Sequence, residues 1–237
     1  MLAELLRGFF ALCAYFVAAA TLILVVKRLL APPREYVRKL MHTVCFLSIF
    51  VLTGAFDVWY LAVGACALLA LIIYPALALA EKHPRYAALF NERSKGEVKN
   101  SMVLVFLMMA VMIAIFWGVL GEGFKYITVV AILAWGFGDA AAALVGQKFG
   151  RHQVTMPLVE QQKTWEGTFA MFAVAFLAIF VSLLIYATLR WYLCLPVALA
   201  VAAVSAFTEL VSRKGRDTIN VPFATALPLF LLVYFLS

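Results

Sequence analysis

Four carboxylates stand where solubility does not explain them. Asp139 lies in Trp135-Gly-Phe-Gly-Asp-Ala-Ala-Ala-Ala-Leu-Val-Gly146, a run of apolar and small residues. An ionisable group in such a run is costly and marks a functional site by default. Residues 135–143 contain no base, so the partner of Asp139 comes from another helix, a metal or a substrate. Glu209 is the second such acid. Ser205, Glu209 and Ser212 share one helical face, and Arg213, four residues on, is an alternative partner for the carboxylate.

Glu166 belongs to Lys163-Thr-Trp-Glu-Gly-Thr168. Thr164 has the side chain of a helix cap, and Glu166 complements the dipole of the helix that follows. The same helix start offers free N–H groups, with Lys163 beside them, to a phosphate. Asp217, in Arg213-Lys-Gly-Arg-Asp217-Thr-Ile-Asn220-Val-Pro222, is either a counter-ion to three neighbouring bases or a metal ligand. Arg38, Lys39 and His42 form a basic cluster upstream, Arg38 and His42 one turn apart. Glu35, four residues before Lys39, offers that lysine a surface ion pair. Carboxylates beside bases suit a Mg²⁺-phosphate site, because Mg²⁺ is held by one or two carboxylates together with phosphate oxygens. Phosphoryl transfer needs chiefly positioning and charge neutralisation, which such a set supplies.

The elements that must position these groups are membrane helices. The 237 residues are 66% hydrophobic and 13% charged, with a mean hydropathy of +1.03. A soluble domain is about 45–50% apolar and about 25% charged, so a water-soluble globule is excluded, as are disorder and a collagen-like chain. The expectation is an all-α polytopic bundle forming a single integral-membrane domain over 1–237. A spanning helix needs about 20 apolar residues. Eight stretches qualify: 8–28, 40–56, 59–80, 101–120, 126–146, 167–188, 192–211 and 221–236. There are seven if the second, the shortest, does not cross. The first is too long for a signal-peptide core and reads as a retained span. Pro75, Pro196 and Pro228 fall within or beside spans as potential kinks.

Lys and Arg in short loops stay cytoplasmic. Loops 27–39, 81–100, 147–166 and 212–220 hold sixteen of the nineteen basic residues, leaving only Arg7, Lys125 and Arg190 opposite. Both termini are therefore expected on the non-cytoplasmic side. The +7 net charge gathers on one face, where it obeys the topology rule and attracts anionic headgroups; nucleic acid is not among the expected partners. Asp139 then lies about 10 Å below the cytoplasmic end of its helix, at 1.5 Å per residue. Gly138, Ala142, Gly146 and Gly150 make a smooth stripe whose main expected use is close helix packing. Gly136-x-Gly138-x-x-Ala141 imitates a dinucleotide fingerprint, but no strand precedes it. No Walker A sequence occurs, and the four cysteines show neither zinc nor disulfide spacing.

Four blocks resemble the CTP-dependent lipid kinase family of dolichol kinase, phytol kinase and yeast-type diacylglycerol kinase, itself distantly similar to phosphatidate cytidylyltransferases. They are Arg38-Lys39-x-x-His42; Gly138-Asp139-Ala140-x-Ala142-x-x-x-Gly146-x-x-x-Gly150; Lys163-Thr164-x-Glu166-Gly167-Thr168; and Glu209 with Gly215-x-Asp217 and Pro222. The resemblance covers 38–222 and implies transfer of the γ-phosphate of CTP to a membrane alcohol, a phytol- or polyprenol-like lipid. It implies Asp139, Lys163, Glu166 and Glu209 as catalytic residues. Mg²⁺ or Mn²⁺ would sit on Asp139, Glu166, Glu209 and Asp217. Arg38, Lys39, His42, Gly146, Lys148, Lys163, Thr164, Gly167 and Asp217 would meet the nucleotide and its phosphates. Thr218 stands where many members carry Asn. The further cytidylyltransferase signature, a Lys-Asp pair leading to His-Gly-Gly and Asp-Arg-x-Asp, is absent, which favours a kinase over that alternative. A proton-coupled transporter relaying through Asp139 and Glu209 is the reading from another class, and the gathering of the acids at one face counts against it. If prokaryotic, the protein is expected in the inner membrane with its site facing the cytoplasm. The oligomeric state stays open, a homodimer included.

Overall fold

The computed structural model describes residues 2–82, 96–157, 159–160, 162–213 and 215–236, with the side chains of Arg34 and Glu97 excepted. Arg85, Arg93, Lys95 and Lys214, which entered the topology argument, lie outside the described residues. Eight helices among the described residues are long and apolar enough to cross a membrane, from Leu2–Leu30 to Asp217–Leu236. The all-α, multi-pass expectation holds, with eight candidate spans rather than seven. No strand occurs among the described residues beyond an isolated antiparallel bridge between Gln153 and Thr164. The chain divides into two units, 1–122 and 123–237.

The first unit contains α1 (Leu2–Leu30), α2 (Arg34–Leu47), α3 (Ile49–Gly54), α4 (Trp59–Ala80) and α5 (Glu97–Ile113), the last prolonged by a π-helical turn, Ala114–Val119. Pro32 and Pro33 end α1, since proline lacks the N–H that would continue it. The Pro33 carbonyl then starts α2 by accepting Tyr36 N–H at 3.0 Å. The second span is two helices meeting at Ser48, whose hydroxyl bonds the Cys45 carbonyl at 2.7 Å. It reaches back to Glu35, five residues before the expected start, because amphipathic α2 carries its charged first turns into the helix. The α4–α5 contact is close: a Cβ at Gly118 would lie 2.8 Å from the Trp59 ring.

The second unit is a closed ring of four helices: α6 (Lys125–Phe149), α7 (Trp165–Tyr186), α8 (Trp191–Val211) and α9 (Asp217–Leu236). Each packs on the next, and α9 returns to α6. Lipid tails are as apolar as leucine, so close van der Waals approach holds such a bundle together. The glycine stripe of α6 supplies it. A Cβ at Gly138 would strike Met171 Sδ at 2.3 Å, and one at Gly167 would meet the Ala142 carbonyl at 2.9 Å. The stripe is thus used for packing against α7. Between α8 and α9 the hydroxyls of Ser205 and Thr225, both fully buried, meet at 2.7 Å. Proline is accommodated inside α4 (Pro75), α8 (Pro196) and α9 (Pro222 and Pro228).

Candidate active site

The site is built at one end of the four-helix unit, where α6 gives way to the 150–164 loop and α7 begins. Thr164 caps α7, its hydroxyl accepting from Gly167 N–H at 3.2 Å. The same hydroxyl sits against Gly146: a Cβ there would come within 3.1 Å of it. Gly146 and Gly167 bring α6 against the capped first turn of α7. Glu166 accepts from His152, from the backbone N–H at 3.2 and 3.3 Å and from Nδ1 at 2.7 Å.

Lys163 turns inward. Its ammonium pairs with Glu209 Oε1 at 2.6 Å and also donates to the Glu209 carbonyl. The pair is sheltered, with side chains 17% and 9% exposed. The sequence reading offered Arg213 to Glu209; in the structure the distant Lys163 provides an ion pair, and Arg213 donates to the Pro157 carbonyl. Asp139, on α6, and Asp217, opening α9, both act electrostatically on Glu209. The Lys163–Glu209 pair is thus within electrostatic reach of acids on two further helices of the ring. Ser212 and Asn220 join there by a 3.3 Å hydrogen bond from the Asn220 amide to the Ser212 hydroxyl. Thr218, where the resemblance looks for Asn, is buried at the start of α9.

Lys148 is exposed near the end of α6, its ammonium 5.2 Å from the Phe149 ring centroid. Arg38, Lys39 and His42 are in the first unit. Glu35 pairs with Arg38, three residues on, with Arg38 Nε 3.3 Å from Glu35 Oε2. Lys39 is 7% exposed and so is a buried residue of α2. His42 stacks edge-on to Phe46, with centroids 6.4 Å apart. Among the described residues no three of His, Cys, Asp or Glu gather as a metal site. The four acids the resemblance gives to Mg²⁺ or Mn²⁺ are thus not brought together as a cage; a Mg²⁺ on one or two of them would draw its other ligands from phosphate and water.

His152 escaped the sequence reading. A histidine fourteen residues from a glutamate, across a loop, has no spacing signal, and only the fold of that loop joins the two.

A multi-pass helical membrane protein with acids and a lysine converging at one end of a bundle is the class these features define. No family model matches the chain, and no solved structure does. A curated relative, the phytol kinase of Synechocystis sp. (strain ATCC 27184 / PCC 6803 / Kazusa), is 32% identical over 208 residues, covering 84% of this chain and 80% of the relative. The chain belongs to the phytol kinase family of membrane lipid kinases.

Proposed function

We propose that this protein transfers the γ-phosphate of CTP to the hydroxyl of a membrane isoprenoid or lipid alcohol of the phytol type. The carrying observation is the sheltered Lys163–Glu209 pair with Asp139 and Asp217 in its electrostatic reach; the phytol kinase relative supports the reaction class. The alcohol oxygen attacks the γ-phosphorus, the bond to the β–γ bridging oxygen breaks, CDP leaves, and the hydroxyl proton is lost. Asp139 and Asp217 are assigned to the Mg²⁺ that accompanies the nucleotide, with Mn²⁺ as its substitute. The cation supplies charge neutralisation on the phosphates. As the alternative to holding the cation, Asp139 meets the headgroup end of the lipid alcohol and takes up its hydroxyl proton. Lys163 neutralises charge on the transferred group, and Lys148, exposed near the end of α6, attracts the triphosphate. The protein works in the membrane with this site on the cytoplasmic side.

The test uses the full chain in detergent with labelled CTP or ATP and Mg²⁺, offered phytol, geranylgeraniol, polyprenols and diacylglycerol. A phosphorylated lipid made with CTP supports the reading. Absence of product with every alcohol overturns it, and pyrophosphate release with a lipid phosphate would identify a cytidylyltransferase in its place.

A further inference from the structure

We propose that Glu166 is a positioning residue, acting through His152 to hold residues 152–154 against 163–165 and so deliver Lys163 to Glu209. This rests on the kinase reading and assigns His152 a part in it. Both Glu166 oxygens accept from the His152 backbone N–H, and one also receives the ring Nδ1. The engagement continues along the chain. Trp165 N–H donates to the His152 carbonyl at 3.0 Å, Val154 N–H donates to the Lys163 carbonyl at 3.0 Å, and Gln153 bridges Thr164. Residues 152–154 and 163–165 are thereby zipped antiparallel, and Lys163 is carried on the returning side.

The loop is also tied to α8. Val154 and Val159 form a buried cluster with Leu210, the residue after Glu209, and Arg213 donates to the Pro157 carbonyl. At the other end Gly150 leaves α6 so tightly that a Cβ would lie 2.2 Å from the Gly146 carbonyl. The path is constrained on both sides, and the Glu166–His152 clasp closes its base against the first turn of α7. A carboxylate orienting an imidazole by its Nδ1 fixes the ring as well as the backbone behind it. In this arrangement Glu166 helps the phosphates indirectly, through the placement of Lys163, and a metal would compete with His152 for its oxygens.

The experiment compares Glu166→Ala, His152→Ala, the double variant and His152→Asn, whose amide N–H₂ can replace the Nδ1 donor, all as full chains in detergent. The first readout is the rate of tryptic cleavage after Arg151 without nucleotide or lipid. The second is kcat and the Mg²⁺ concentration giving half-maximal transfer. Expected is cleavage about tenfold faster in both alanine variants, with the double variant no faster than either, as for residues acting as one unit. His152→Asn stays near the unsubstituted rate. Transfer falls about tenfold in kcat in the alanine variants while the Mg²⁺ requirement is unchanged. Unchanged cleavage in both alanine variants overturns the proposal, and that readout stands whether or not any lipid is phosphorylated. A Mg²⁺ requirement raised tenfold by Glu166→Ala but not by His152→Ala overturns it too, making Glu166 a metal ligand.

Discussion

Lys163 and Glu209 stand 46 positions apart in the chain and 2.6 Å apart in space. Removing one partner of a sheltered ion pair strands the other charge, at a cost of about 3–5 kcal/mol, whereas replacing both with apolar residues can be neutral. Glu209→Leu is therefore expected to lower the thermal unfolding midpoint markedly, and Lys163→Met/Glu209→Leu to recover part of that loss. Transfer activity is expected to be absent in both. A double variant as unstable as the single one would show that the pair's worth lies in other contacts. Asp139→Asn keeps the side-chain volume and removes the charge. It is expected to lower transfer by at least about a hundredfold, on the scale of removing a charged group that acts in the transition state, while leaving the melting midpoint nearly unchanged. Equal kcat in Asp139→Asn and the unsubstituted protein would remove Asp139 from the chemistry. At this scale the sequence marked the anomalous acids, since a carboxylate in an apolar run is conspicuous without coordinates. It offered Glu209 only the nearby Arg213 and missed Lys163, because nearness along a helix is visible in a sequence and nearness across a bundle is not.

The α6–α7 contact is where the helices depend most on individual residues. Gly138→Leu would drive a branched side chain into Met171, whose Sδ already lies 2.3 Å from an ideal Cβ at that position. The expected result is separation of the two helices, with lost activity and a lower melting midpoint. Gly64→Leu, on α4 where nothing lies within 4 Å of the Cβ, serves as the control and should be tolerated. A milder contribution comes from Ser205 and Thr225, which join α8 to α9. Each hydroxyl also bonds to its own helix, Ser205 to the Val201 carbonyl and Thr225 to that of Val221. Thr225→Val is expected to cost only about 0.6–2 kcal/mol, the range for hydrogen bonds between membrane helices, measured by denaturant titration in micelles. Span positions were legible because hydrophobic length is a local property. The break at Ser48 was not, since the residues on either side of it are equally apolar.

Across the whole molecule the arrangement of charge sets the expected orientation. Arg213, Arg216 and Arg151 lie in loops of the four-helix unit, while Lys125 and Arg190 open helices at the other ends. In a Cys13→Ser background the native thiols left, Cys45, Cys66 and Cys194, are all buried. A cysteine introduced by Arg216→Cys should then react with a membrane-impermeant thiol reagent only from the cytoplasmic side, and one introduced by Gly123→Cys only from the opposite side. Reversed labelling would place the Lys163–Glu209 end on the non-cytoplasmic side and overturn the expected orientation.

Composition and hydropathy by themselves determined a helical membrane protein with eight candidate spans, because burying apolar length in lipid and satisfying each backbone group within its own helix are constraints that act locally. They also singled out the acids and bases, through the energetic cost of charge in apolar surroundings. Tertiary structure alone decided the pairing of Lys163 with Glu209, the packing use of the glycine stripe and the holding of residues 152–154 against 163–165 by His152 and Glu166. Those outcomes depend on which helix faces meet, and a hydrogen bond of about 3 Å between distant residues leaves no trace in the order of the chain.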